Sequence, residues 1–158
     1  MKIKSYQRDN AVKYAKKWAY TRNPLYYNFD KIGGDCTNFV SQCIFAGCKT
    51  MNYSPNGWYY LSVNDRAPSW TSVEFLYKFL TTNNGIGPSA LVVNKENILL
   101  GDVVQLGNST KNFYHTCIIT GFDANDPLLS CHTRDFYNRP LSTYSYENIR
   151  YLHIEQVK

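Results

Sequence analysis

Gly33-Gly34-Asp35-Cys36-Thr37-Asn38-Phe39-Val40-Ser41-Gln42-Cys43-Ile44-Phe45-Ala46-Gly47 is the stretch from which the rest of the chain can be read. Two glycines loosen the backbone, an acid and a thiol follow, and a helical pattern then runs to Gly47, which is expected to stop it. Phe39, Val40, Cys43 and Ile44 recur at the i, i+1, i+4, i+5 spacing of a buried helix stripe. Cys36 therefore falls in the first turn or just before it. There, unpaired backbone N–H groups and the positive end of the helix dipole favour a thiolate. A cysteine so placed titrates below the free value of about 8.5. The same position also suits a small buried hydrophobe, the commonest use of an unpaired cysteine. The rest of the chain has to decide between the two.

A chain of 158 residues suits one domain, spanning 1–158, around one substantial core. Aromatic residues make up 16% and include 14 tyrosines, a composition that lines ligand surfaces or pads the rim of a core. The net charge is +5, but the longest basic run is the pair Lys16-Lys17. Nucleic-acid binders concentrate their basic residues into a patch or arm, so no nucleic-acid partner is expected. Five cysteines (36, 43, 48, 117 and 131) are odd in number and form no CxxC pair. Cys43, Cys117 and Cys131 lie in apolar patterns and read as core. No two Cys or His residues have zinc-motif spacing, so neither a metal nor another cofactor is expected. No run resembles a signal peptide or is long enough to span a membrane, which reads as a chain made in the cytoplasm or a domain cut from an exported protein.

Asp9 is expected to cap a first helix over about residues 10–20, with Ala11, Val12, Ala15, Trp18 and Ala19 on its apolar face. An aromatic connector, Leu25-Tyr26-Tyr27-Asn28-Phe29-Asp30, leads into the Cys36 helix. Residues 47–70 read as a long ordered loop, a feature that tends to be functional in compact domains. Thr71-x-x-Glu74 has the form of a capping box before a third helix that ends near Thr82. The second half changes to strands, expected at 103–106, 113–120, 128–133 and 149–157. Helices first and strands afterwards predict an α+β domain with N-terminal helices packed on a C-terminal antiparallel sheet.

Of the three histidines, His115 opens the second of these strands and His132 lies in the third, beyond a turn centred near Asn125. A hairpin about that centre sets His115 against residues near 133, within one residue of His132. His153 reads as structural. A nucleophilic thiol needs a base to take its proton, and the base needs a third group to fix its tautomer. Cys36, His115 and one of His132, Asp135 or Asn138 satisfy that logic.

Gly34-Asp35-Cys36-Thr37-Asn38-Phe39-Val40 resembles the Asp-Cys-Ser-Gly motif of bacterial cell-wall papain-like peptidases of the NlpC and CHAP types. Leu100-Gly101-Asp102-Val103-Val104 is similar to their Pro-Gly-Asp-Leu-Val segment, and His115-Thr116-Cys117-Ile118-Ile119-Thr120-Gly121 to their histidine strand. A closer resemblance is to the amidase-domain family within that superfamily. It is carried by Ala11 to Ala19, Asn23-Pro24, the Cys36 motif, Asn64 to Thr71, Gly101-Asp102, His115 and His132-Thr133 to Leu141.

That resemblance implies a papain-like fold and hydrolysis of an amide in peptidoglycan through a thioester acyl-enzyme, either as an amidase or as a stem-peptide or cross-bridge endopeptidase. Cys36 would attack, His115 would shuttle the proton, and His132 would orient His115, with Asp135 and then Asn138 as alternatives. The Cys36 N–H would stabilise the oxyanion, with Tyr27 or Asn28 as partners. Asp35 would cap the helix or bind a substrate amine, and Trp58 and Trp70 would wall the cleft. The place of action would be the bacterial wall, reached by an exported protein or by a holin-released lysin (an endolysin). Two alternatives stay open. One is a papain-like toxin or transferase acting on a cytosolic amide, and the other is a non-catalytic wall-binding module.

Overall fold

The computed structural model describes residues 2–158. Four helices and eight strands follow one another as α1 (Arg8–Trp18), α2 (Cys36–Cys48), β1 (Tyr60–Ser62), β2 (Asp65–Arg66), α3 (Pro68–Thr71), α4 (Val73–Thr82), β3 (Pro88–Val93), β4 (Val103–Gly107), β5 (Phe113–Asp123), β6 (Asp126–Cys131), β7 (Phe136–Pro140) and β8 (Asn148–Val157). Short 3-10 turns interrupt the loops at Lys95–Asn97 and Leu141–Thr143. The expected α+β arrangement is what the chain forms. β1 and β2 make a small ribbon, and the other six strands form one antiparallel sheet in the order β3-β8-β4-β5-β6-β7. No helix among the described residues is long and apolar enough to cross a membrane.

The two faces of this sheet are covered differently. Val103, Ile118, Leu152 and Ile154 point towards the helices and join Phe39, Val40, Cys43 and Ile44 of α2 in the larger core. Alternate residues (Val104, Leu106, Cys117, Ile119, Leu129 and Cys131) point the other way, under Ile98, Leu141 and Tyr144 from the connecting segments. This is the period-2 alternation of a sheet buried on both faces.

Helix α2 runs through the centre and is buried all round except at Phe45, so the apolar stripe read from the sequence is only part of its buried surface. Its polar side chains are tolerated there because each is bonded. Thr37 bonds Thr116 (2.9 Å), Ser41 donates to the Trp70 carbonyl (2.9 Å), and Gln42 accepts from the Tyr14 hydroxyl (2.5 Å).

Several boundaries differ from the sequence reading for identifiable reasons. Asp9 lies in the first turn of α1 rather than at its cap, which is Gln7. Gly47 does not stop α2. The helix continues to Cys48 and closes at Lys49, which is left-handed at φ 55° and donates its N–H to the Phe45 carbonyl. Gly47 is needed instead for close approach, since a Cβ there would lie 2.5 Å from the Tyr6 ring and 2.9 Å from the Gln7 carbonyl. Ser72, not Thr71, caps α4, accepting from the Phe75 N–H. The region 47–70 is partly structured, holding β1, β2 and the start of α3. Trp58 and Trp70 within it are wholly buried, their rings 4.6 Å apart. Their indole N–H groups donate to Ser41 (3.1 Å) and Asn38 (3.0 Å). They are core residues, and the cleft wall expected of them is not theirs to form. Strands β3 and β7 had no clear alternation to betray them.

Candidate active site

The β5–β6 hairpin turns at Asp123↔Asp126, takes up a bulge near Thr120, and stops pairing at Ile118↔Ser130. Residues 113–116 of β5 therefore extend beyond the end of β6. The N-terminus of α2 occupies the vacated space. The Thr116 backbone N–H, with no strand partner on that side, and the His115 imidazole both lie near enough to the Cys36 sulfur to favour its thiolate. Cys36 also sits 3.8 Å from the Thr37 hydroxyl.

Burial opposes ionisation of Cys36. The neighbouring His115, the Thr116 N–H and the Thr37 hydroxyl outweigh it and bring its pKa below the usual thiol value. Burial likewise works against a charged His115, but the sulfurs of Cys131 and Cys36 beside it push its pKa up to about 10. The structure thus brings together the thiol and imidazole that the sequence paired. Cys36 is only 7% exposed, and the open space nearest the pair lies on the His115 side, where Cys36 itself is not part of the lining. A pocket of about 390 Å³ there is bounded by His115, Tyr114, Arg134, Arg139, Tyr144 and neighbouring residues.

Asp35 precedes α2 in the position of a cap, yet its side chain makes no capping hydrogen bond. Its buried carboxylate turns away to accept from the Phe29 N–H (2.9 Å), the Asn38 amide (2.9 Å) and His132 Nδ1 (2.6 Å). Burial is opposed by these bonds, and the net effect is a pKa below the usual carboxylate range. Two things follow for the reading of Asp35: it neither caps the helix nor is free to hold a substrate amine. The first-turn N–H groups of α2 are left for another acceptor.

His132 is correspondingly not the orienting group of His115. Its Nδ1 meets Asp35, its Nε2 lies 2.8 Å from the Trp18 carbonyl, and its ring stacks on Phe39 at 4.0 Å. A side chain with both nitrogens committed on the helix side of the sheet cannot also hold an imidazole on the other side. Asp135 is held by Arg22 in a fork at 2.9 and 3.0 Å, shared with Asp30. Asn138, left-handed at φ 58°, is bonded to Thr120 (2.6 Å) and Ser130 (3.1 Å). Neither alternative touches His115. Tyr27 uses its backbone to bond Tyr60 and Asn38, and the Asn28 side chain closes a turn on the Asp30 N–H. Among the described residues neither hydrogen-bonds Cys36 or His115.

What does adjoin His115 on its own face is a pair of cysteines. Register continued by one from Ile118↔Ser130 places Cys117 across from Cys131. The ligand atoms of His115, Cys117 and Cys131 lie within 4.8 Å of one another. The sequence placed both thiols in the core, which they are, and its metal-spacing test could not see a cluster assembled from two strands. Tyr144 completes the group, its hydroxyl 3.3 Å from the Cys131 sulfur. His153, read as structural, bonds the buried Asp102 at 2.8 Å.

A family model described as "Putative amidase domain" matches residues 5–154. The chain belongs to that family. Its description is that of an amide hydrolase, and the thiol–imidazole pair lies within the matched region. The chain is 33% identical to the "Uncharacterized protein YhbB" of Bacillus subtilis (strain 168) over 148 residues, covering 90% of this chain and 45% of that one. It is 28% identical to the "Uncharacterized protein YjcM" of the same organism over 147 residues, covering 87% and 33%. The chain therefore spans less than half the length of these curated relatives. No solved structure matches it.

Proposed function

We propose that this domain is a cysteine amidase or peptidase of papain-like mechanism that hydrolyses an amide of peptidoglycan at the bacterial cell wall. The observation that carries this reading is the Cys36 thiol, its pKa lowered, at a helix N-terminus whose own acid has been turned away, with His115 against it. The Cys36 thiolate attacks the amide carbonyl and forms a tetrahedral intermediate. The Cys36 N–H at the start of α2 is the natural donor to its oxyanion. His115, carrying the thiol proton, passes it to the leaving amine as the acyl-enzyme forms. It then takes a proton from the water that releases the acid.

Two features favour a wall substrate over a neutral amide. The pocket beside His115 carries Arg134 and Arg139. Arg139 is tied to Thr143 and lies over the Tyr144 ring at 4.0 Å, whereas the Arg134 guanidinium makes no hydrogen bond or ion pair among the described residues, its residue being held only through the carbonyl that accepts from the Cys131 thiol at 4.0 Å. A guanidinium so placed suits a carboxylate near the scissile bond, as stem peptides carry. The net charge of +5 agrees with an anionic polymer.

Digestion of purified peptidoglycan, followed by mass spectrometry of the released fragments, tests this. Cys36→Ala and His115→Ala should each lower turnover by at least about 10³-fold, the scale expected when members of a nucleophile–base pair are removed, with the fold retained. Undiminished release by either variant would refute the assignment. The masses of the fragments identify which amide is cut.

A further inference from the structure

We propose that Cys131 is the positioning residue of His115: its sulfur accepts the imidazole N–H that Cys36 does not use. This rests on the reading of Cys36 and His115 as nucleophile and base.

The argument begins with parity along two strands. In the observed register His115 lies opposite residue 133, so residues 131 and 133 share its face and residue 132 points to the other. Cys131 is then the diagonal neighbour of His115, within reach of a long side chain. Distances agree, since the side-chain atoms of His115, Cys117 and Cys131 fall within 4.8 Å. The groups that ordinarily orient a histidine are engaged elsewhere, His132 with Asp35 and Trp18, Asp135 with Arg22, and Asn138 with Thr120. No carboxylate comes within 4.0 Å of His115 among the described residues.

The surroundings of Cys131 suit an acceptor. It is wholly buried, so it meets neither solvent nor substrate. Burial and the nearby cysteines hold the pKa of Tyr144 far above its ordinary value, so its hydroxyl keeps a proton to donate to the Cys131 sulfur at 3.3 Å. Cys117, itself held protonated by burial, supplies a second donor, and His115 a third. These donors outweigh burial and bring the Cys131 pKa down to about 5, while the same contact helps to raise His115. A sulfur with this environment does for His115 what a carboxylate does for the base of a serine triad: it fixes the ring and stabilises the imidazolium. The titratable and charged groups facing His115 are thus Cys36 from α2, Cys117 on its own strand, Cys131 from β6, and Tyr144, Arg134 and Arg139 around the pocket.

The experiment compares the wild-type chain with Cys131→Ala, Cys131→Ser and Cys131→Asn. It uses two readouts, steady-state release of peptidoglycan fragments and the pH dependence of Cys36 alkylation by iodoacetamide followed by mass spectrometry. Cys131→Ala should lower kcat about 10²-fold, the lower end of what a positioned acid–base group contributes, with KM within about twofold. The alkylation profile should shift to higher pH. Cys131→Asn, which restores an acceptor, should recover much of both.

Wild-type kcat together with an unshifted profile in Cys131→Ala overturns the proposal. So does equal loss in all three variants that tracks a lower melting temperature. A third overturning result is stoichiometric zinc retained by the purified wild type and released on replacing Cys131, since His115 would then be a ligand. Failure of the underlying reading looks different: Cys36→Ala still active, or Cys36 no more reactive than an ordinary thiol in the wild type. The alkylation readout tests the role of Cys131 even if peptidoglycan proves to be the wrong substrate.

Discussion

Cys36 and His115 lie together in a place where burial alone would keep both neutral; His115 reverses that for Cys36, and the sulfurs of Cys131 and Cys36 reverse it for His115. The ion pair exists between the lowered pKa of Cys36 and the value of about 10 reached by His115. On the proposed mechanism, hydrolysis should rise as pH climbs through the lowered Cys36 titration and fall as pH passes about 10, where His115 loses the proton it would give to the leaving amine. A pH–rate profile of kcat/KM checks this. A single rise at the ordinary thiol value near 8.5, with no fall, would remove the ion pair from the account. Both members were legible in the sequence, the thiol from its place at a helix start and the histidine from its place at a strand start. The partner of His115 was not legible, because it hinged on parity. His132 sits one residue from the position opposite His115, and in a strand one residue is the difference between the two faces. The irregularity between β5 and β6 lies near Thr120, on the turn side of His115 and His132, and the observed register already includes it.

Helix α2 is where element and site meet. Its existence and direction followed from periodicity, but its complete burial did not. Ser41, Gln42 and Asn38 look like a solvated face until Trp58, Trp70 and Tyr14, from distant positions in the chain, supply their partners. The long aromatic loop was misread for the same reason, since nothing local announces that an indole will bond a serine in a remote helix. Gly47 gives a test at this scale. Its carbonyl accepts from the Gln7 N–H at 2.8 Å, and its missing side chain admits Tyr6, so α1 and α2 are pinned together there. Gly47→Ala gains about 1 kcal/mol of helix propensity and loses more to overpacking against a backbone oxygen, about 1–3 kcal/mol. The expected sum is a loss of about 1 kcal/mol, measured by urea denaturation. A gain in stability would mean that Tyr6 moves aside freely.

Across the whole molecule, one buried carboxylate ties the layers together. Asp102 takes Arg8 from α1 at 2.7 Å, the Leu99 N–H, His153, and the Ile154 N–H of β8. Gly101, at φ 84°, makes the turn that delivers Asp102, while Tyr6 donates to its carbonyl. The sheet order was beyond sequence reading because it depends on β8 returning between β3 and β4, a non-local pairing with no local signal.

The reverse turn between β6 and β7 bears on the molecule as a whole in another way. Thr133 and Arg134 occupy consecutive left-handed conformations (φ 61° and 64°), where Asn-Gly would sit with less strain. Thr133 uses that posture to accept from the Asp35 N–H at 2.9 Å, and Arg134 reaches the pocket from it. Exchanging the pair for Asn-Gly (Thr133→Asn with Arg134→Gly) should stabilise the fold by about 1 kcal/mol, raising Tm by about 2–4 °C, while KM for a carboxylate-bearing substrate climbs. A lower Tm would show that the Thr133 bond outweighs the strain. Selection for ruggedness alone would then remove the guanidinium proposed to meet a substrate carboxylate, so a hardened variant of this domain should be screened for selectivity before it is trusted as a tool.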